Sequence, residues 1–422
     1  MKMCTTAKVQ ELIRQYKVRE AFRAAADDLA DNREMQTLFL QLLSFNNNVA
    51  LLQPDSDMIR VQAESNPYMA YAYARLHDVL QPGKDSDRIK EKYYTMAADH
   101  GIGDAYAYLA FMYRDGDLGE QDTDTYGTLM RKAEQMGSGK ARQQAVRDLV
   151  YGSNGSETDP LKAYELAEHC LKEPAMPDPA YYLLMAEADA QLGRKAEAVR
   201  NYRLAVENGC SAAFYWWAVT ACCDEEGNVA DRESFMEIMQ KGIDVRAADC
   251  FLMYSLLLDD GSFEGLDDGD KAEVKEGLLS DLKTGWMLGD SVCALFLGDY
   301  YENGRYGFEE DYGNAWLWYS RGAVLHNPFC FEALARMILD DGTAPGSYDE
   351  EYGYECAYRG LLLGGEDLLE VVVRGYRNGF LTRHAAMIES KWLPGYEQGI
   401  DGYDDGHEYL YDGEPEREIE ED

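Results

Sequence analysis

Apolar and polar positions along this chain alternate with the period of an α-helix, and the helical stretches come in pairs. In one stretch Ala105, Leu109, Ala110 and Tyr113 recur at i, i+4, i+5 and i+8, which puts them on one stripe of a helix. Gly116 follows its last turn, where a left-handed C-terminal cap strains glycine least. In another stretch Asp87, Lys90, Tyr93, Tyr94, Ala97, Ala98 and Gly101 form the complementary pattern. The aspartate suits a helix N-terminus, the tyrosines fill the space between helices, and the alanine pair permits a close crossing. Together the two patterns predict a helix–turn–helix unit. Copies of the unit end at Gly101, Gly137, Glu173, Gly209, Gly242, Gly289, His326 and Gly364, with steps of 36, 36, 36, 33, 47, 37 and 38 residues. Self-similarity at this period predicts a solenoid, in which each unit buries its apolar face only against its neighbours.

The repeats divide the chain. Residues 1–65 read as two or three amphipathic helices (Leu12, Ile13, Tyr16 and Val18, then Leu38, Leu40, Leu42 and Leu43) that lack the motif and are expected to cap the first repeat. Residues 66–390 are the repeat array, and an acidic, glycine-rich insertion at 259–270 accounts for its longest step. Residues 391–422 are acidic with interleaved Tyr403, Tyr409 and Tyr411, the composition of a flexible tail. The expected fold is all-α, an α/α superhelical solenoid of about eight helix-turn-helix repeats.

Copy seven carries Cys293, Leu297-Gly298, Tyr301, Gly304, then Asp311, Ala315, Trp318-Tyr319 and Gly322-Ala323. With the copies around Ala105 and Asp87, this spacing resembles the Sel-one-like repeat family, a relative of the tetratricopeptide repeats. The likeness spans residues 66–380 and is strongest in copies one, two and seven. Copy three departs from it with Glu173 for the closing glycine, followed by Pro174, and Ala145-Val146 for Leu-Gly. The resemblance implies a right-handed α-superhelix that binds proteins or peptides and has no catalysis of its own. Some relatives have been credited with acting on cell-wall substrates, which leaves a hydrolase as a secondary alternative.

Charge then narrows the partners. The chain of 422 residues carries 40 Lys and Arg against 78 Asp and Glu, a net charge of −38, which argues against phosphate backbones and anionic membrane surfaces. A protein or peptide partner, of basic character, fits this better, and an acidic mimic of nucleic acid that occupies a basic protein is the alternative. No apolar run approaches a membrane span, and the first residues, including Cys4, lack a secretory core, so a cytoplasmic location is expected. Cys250, Cys293 and Cys330 fall at one repeat register, where Ala72 and Ala105 stand in other copies. They read as small packing residues, not as a disulfide ladder.

Chemistry is sparse. There is no phosphate loop, zinc-protease helix or nucleophile elbow, and the six histidines are scattered. Asp401, Asp405, Gly406 and Asp412 fit four places of a calcium loop, but Tyr403 and Glu408 occupy two others wrongly. No cofactor or metal is expected. Ligand contacts are expected on the first helix of each unit, on the face opposite its packed leucine. Counting roughly 100° per residue, that face carries Ala74, Asp78 and Gln81, then Ala107, Phe111 and Arg114, then Tyr182 and Asp189. It continues with Tyr215 and Val219, Asp299 and Glu302, and Glu332 and Arg336. Of these, Asp78, Phe111, Arg114, Tyr182, Tyr215, Asp299, Glu302 and Arg336 form the expected partner groove, aromatic in the middle copies and acidic toward the C-terminal half.

Overall fold

The computed structural model describes residues 5–397 apart from 31, 81–83, 120–121, 153–157, 173–177, 225 and 259. Cys4, Gln81, Glu173, Pro174, Asp259 and the tail beyond residue 397, including Asp401, Tyr403, Asp405, Gly406 and Asp412, lie outside the described residues. The described chain is helical; its one β-type contact is an isolated bridge between Cys223 and Val229. It opens with α1 (Thr6–Arg14), α2 (Val18–Ala26), α3 (Arg33–Leu43), α4 (Asn46–Leu51) and α5 (Ser56–Ala63). Helical hairpins follow: α6 (Pro67–Leu80) with α7 (Lys84–Asp99), α8 (Gly103–Asp115) with α9 (Thr123–Gln135), α10 (Gly139–Tyr151) with α11 (Pro160–Lys172), and α12 (Pro179–Gln191) with α13 (Lys195–Glu207). Next come α14 (Ala213–Cys222) with α15 (Arg232–Asp244), and a 3-10 turn at Ala248–Leu252 leading into α16 (Met253–Leu257), α17 (Asp260–Glu264) and the long α18 (Asp268–Met287). The array ends with α19 (Ser291–Asn303) and α20 (Tyr312–Val324), α21 (Pro328–Leu339) and α22 (Glu350–Leu362), α23 (Leu369–Arg377), and the short α24 (Ala385–Met387) and α25 (Leu393–Glu397). No helix among the described residues is long and apolar enough to cross a membrane.

Local chemistry sets the boundaries. Side chains of Asp122, Ser138, Asp178, Asp231, Asp290, Asp311, Asn327 and Asp349 cap the helices that follow them by accepting backbone N–H bonds. Gly116 ends α8 in the left-handed conformation, φ 74°, the region open to a residue without Cβ.

The joints between units share one hydrogen bond. The residue after each closing position donates its N–H to a carbonyl five residues back: Ile102 to Ala97, Ser138 to Ala133, Cys210 to Ala205, Asp290 to Gly285, Asn327 to Gly322. In the fifth joint the pair is Ala247 and Gly242, so the closing position is Arg246, at φ 61°, and not Gly242. This corrects the repeat register: the steps of 33 and 47 become 246 − 209 = 37 and 289 − 246 = 43. Gly242 misleads because it answers a packing demand inside α15, while the turn tolerates arginine. The acidic insertion adds correspondingly fewer residues, and its described part forms α17 and the start of α18.

The same register places the cysteines. Gly242, Gly285 and Gly322 each face the residue eight positions on, Cys250, Cys293 and Cys330, while at the same spacing Ala97, Ala133 and Ala205 share apolar clusters with Ala105, Ala141 and Ala213; all these alanines and cysteines are fully buried. In copy one that slot belongs to Met69, three residues after the capping Asn66, and Ala72 lies a turn beyond it. The eight described cysteines are free thiols.

The array closes on its own beginning. The Tyr16 hydroxyl donates to the Val206 carbonyl at 2.6 Å, and its ring meets Phe214 at 6.0 Å. Asn47 Oδ1 accepts the Ala248 N–H at 3.0 Å. A Cβ on Gly209 would lie 2.7 Å from the Ile13 carbonyl, so that contact requires glycine. Ala248, Phe251 and Leu288 share one apolar cluster with the residues of α2 to α8. The N-terminal helices therefore pack on the first hairpin and also seal against units four to six.

Candidate functional site

Successive first helices pack directly on one another, α8 on α10 and α10 on α12, so they form the inner wall of the superhelix. Part of that wall is covered: Ala74, Ala107, Asp189 and Glu302 are buried, contrary to the helical projection, which treats each helix alone.

Four of the expected groove residues act as fasteners within the array. Asp78 accepts from Arg75 at 2.8 Å and from the Tyr94 hydroxyl, with Lys90 at 3.5 Å. Glu302 accepts the Tyr319 hydroxyl at 2.7 Å and holds the Arg336 guanidinium with both oxygens at 2.8 Å. Arg336 also reaches Asp341, and Asp299 holds Asn303 at 2.8 Å and Arg305 at 3.4 Å. Most of these contacts lie within one unit, and Glu302 with Arg336 joins two neighbouring hairpins. Glu302 is buried while Asp78, Asp299 and Arg336 keep some exposure, so Glu302 is removed from the expected groove and the other three enter it already engaged. The other four are part-exposed on α8, α12 and α14. Phe111 meets Tyr108 edge to face at 5.8 Å and lies 5.0 Å from the Arg114 guanidinium, which Asp115 orients at 2.6 and 3.0 Å. Tyr182 stands on α12, and Tyr215 on α14 lies edge to face with Trp216 at 5.1 Å. Burial, then Asp249 and Asp290, push the Tyr215 phenol upward.

Between Phe111 and Tyr182 the wall carries residues the projection does not reach, because copy three has no packed leucine to count from. On α10, Lys140, Gln144, Arg147 and Tyr151 repeat at i, i+4, i+7 and i+11, one stripe of the helix. That spacing is the signal available in the sequence. Lys140 and Arg147 have neither a hydrogen bond nor an ion pair from their cationic groups among the described residues. Instead Lys140 Nζ stands 5.6 Å from the Tyr108 ring, Arg75 stands 4.2 Å from the same ring, and Arg147 lies 5.6 Å from that of Tyr151. Burial first, then the like charges of Arg147 and Arg75, hold the Lys140 ammonium down to about 7, against the pull of Asp104 and Asp178. Burial pushes the Asp178 carboxyl up to about 6, despite bonds from the Ala180 N–H at 3.0 Å and the Gln143 amide at 2.7 Å. Glu187 opposite is raised by burial, and its Oε2 is buried with no hydrogen-bond partner.

This wall has a pH signature. A lysine whose folded pKa lies below its ordinary value near 10.5 destabilises the fold most where it must be charged, below about 7, and least above 10.5. Lys140→Met is therefore expected to raise stability at pH 6 by on the order of 1 kcal/mol, discounted because the side chain is part-exposed, and by less at pH 10. Thermal unfolding at the two pH values measures it; an equal effect at both would mean that the charge is not the cause.

The described cavities are shallow. One of about 450 Å³ lies between α13, α14 and α15, lined by Arg203, Val206, Phe214, Trp217, Lys241 and Asp244, away from the wall of α8 to α12. Among the described residues no group of three His, Cys, Asp or Glu could hold a metal ion.

No family model matches the chain, and no curated protein matches it. Among solved structures it is similar to a Sel1 repeat protein from Oxalobacter formigenes, with 16% identity, a TM-score of 0.34, and coverage of 78% of this chain and 94% of that chain. It is also similar to a protective antigen present in uropathogenic Escherichia coli strains and displaying an SLR fold, with 14% identity, a TM-score of 0.34, and coverage of 98% and 97%. Identity this low leaves the site to be read from this chain's own residues.

Proposed function

We propose that this protein is a non-catalytic, cytoplasmic scaffold that holds an extended segment of a partner protein along its inner wall. One observation carries the reading: Phe111, the Lys140–Arg147 stripe, Tyr182 and Tyr215 stand part-exposed on four successive first helices, one station per unit. A segment lying across the units meets an aromatic anchor at three stations and, at one, Lys140 and Arg147, whose cationic groups make no close ion pair among the described residues. This is the kind of surface that concentrates binding energy in a few residues. Free, mostly buried thiols suit a reducing compartment. The cations on the wall favour a partner of mixed charge there over one that is uniformly basic, which weakens the reading as a nucleic-acid mimic.

Partners captured from lysate by the wild-type protein should be lost, with affinity at least about tenfold weaker, when Phe111, Tyr182 and Tyr215 are changed to Ala together and helicity is retained. Recovery of the same partners by the folded triple variant would move the binding surface elsewhere.

A further inference from the structure

The outer face of units seven and eight carries a row of rings that the inner-wall reading does not use. Trp316 on α20 stacks on Tyr348 at 4.4 Å and 29°, and Tyr348 stacks on Tyr352 of α22 at 5.4 Å and 24°. Tyr312, one turn before Trp316, extends the row. Tyr312, Tyr348 and Tyr352 are 38%, 42% and 44% exposed. The rings bridge two successive second helices, so the row lies across an outer seam of the solenoid. Contiguous exposed rings of this kind mark contact surfaces more often than isolated ones do.

The rim is chemically one-sided. Glu309, Glu310 and Asp311 precede α20, and Asp349, Glu350 and Glu351 open α22; all six are exposed, and neither stretch contains a Lys or Arg. Asp311 and Asp349 are helix caps and Glu310 accepts from the Tyr312 hydroxyl, but none of the six forms an ion pair among the described residues. Six carboxylates thus flank a preassembled column of rings. An arginine side chain satisfies both at once, its planar guanidinium stacking on a ring and its N–H groups meeting carboxylates. A second copy of this chain would bring a net charge of −38 to the same place and be repelled.

We propose that the Trp316–Tyr348–Tyr352 row is a second docking surface, which takes an arginine-bearing segment of another protein. The test uses the full chain and a short fluorescein-labelled peptide alternating arginine and leucine, with a glutamine-for-arginine version as control. Binding is followed by fluorescence anisotropy at about 0.15 M salt, where charges beyond roughly 8 Å are screened. Tyr348→Ala and Trp316→Ala change no charge, yet each should weaken the arginine peptide about tenfold. Tyr348→Phe should bind as the wild type does, and circular dichroism should show the variants folded. The Phe111, Tyr182 and Tyr215 triple variant should bind this peptide normally, which separates this surface from the inner wall. The proposal is overturned by a wild type that ignores the arginine peptide. It is overturned equally by ring variants that bind as well as wild type, since the protein would then be reading charge alone. Self-association abolished by Tyr348→Ala would assign the row to a second copy and also end the proposal.

Discussion

Gly322→Ala is expected to cost about 2 kcal/mol of stability, and adding Cys330→Ala to the same chain should return most of it. The joints explain why. A Cβ built on Gly322 would lie 2.3 Å from Cys330 Sγ, while its next contacts, at 3.3 and 3.4 Å, are tolerable. Gly285 and Cys293 stand in the same relation at 2.4 Å, and Gly242 and Cys250 at 2.2 Å. At the same register the earlier joints carry two buried alanines in one apolar cluster, Ala97 with Ala105, Ala133 with Ala141 and Ala205 with Ala213. One methyl is moved from one helix to the other, and the thiol fills the space. Overpacking of this kind costs about 1–3 kcal/mol, partly offset by roughly 1 kcal/mol of better helix propensity for alanine. Cys330→Ala alone leaves a small void and should also destabilise. The double variant reproduces a joint this chain already uses. Urea unfolding of the four proteins gives the coupling directly. Additive losses would mean that glycine and cysteine are not a matched pair.

Lys90→Met should be the more damaging change, about 3 kcal/mol at neutral pH. Lys90 Nζ stands 2.9 Å from Asp87, 3.2 Å from Asp117 and 3.5 Å from Asp78, with its side chain 5% exposed. The three carboxylates raise the lysine above its ordinary value in spite of its burial, Asp78 foremost. Its contribution is therefore full below about 10.5 and lost as pH rises past that value. Removing the cation leaves three crowded carboxylates, two of which belong to first-helix ends of adjacent units. Burial already pushes Asp117 upward with the lysine present. In the variant the carboxylates repel one another above their ordinary titration range, and protonation relieves them below it. The deficit against wild type should accordingly shrink between pH 7 and pH 4. Thermal unfolding at both values tests this; a deficit that does not change with pH would point to lost packing instead. Lys92, which meets Glu64 at 2.8 Å on the open surface, is the control and should be nearly silent on substitution.

Some of the functional surface is legible along the chain and some is not. Phe111, Arg114, Tyr182 and Tyr215 come out of a helical wheel because a helix turns at a known angle and each sits on a unit with an identifiable packed residue. Asp78 and Glu302 come out of the same wheel and play another part, since a wheel has no neighbours and their partners lie on other helices: Tyr94 and Lys90 for one, Tyr319 and Arg336 for the other. Lys140 and Arg147 escape because copy three lacks the Leu-Gly landmark. The aromatic row escapes because Tyr348 lies in a connection, where no period applies.

What the chain specifies by itself is whatever depends on residues a few places apart. The paired helices, their capping aspartates and asparagines, the small residues at crossings and the all-α solenoid follow from contacts at i+3, i+4 and i+8, which repeat and can be read as a pattern. Tertiary structure decided the rest. Gly242 and Arg246 exchange roles because the crossing with Cys250 needs the missing Cβ more than the turn does. The first residues close against units four to six through Tyr16 on Val206, Asn47 on Ala248 and Ile13 over Gly209. Those contacts join residues about two hundred positions apart, each made once. A small angle at every joint accumulates until the first residues meet units four to six, and no single stretch of sequence records that sum.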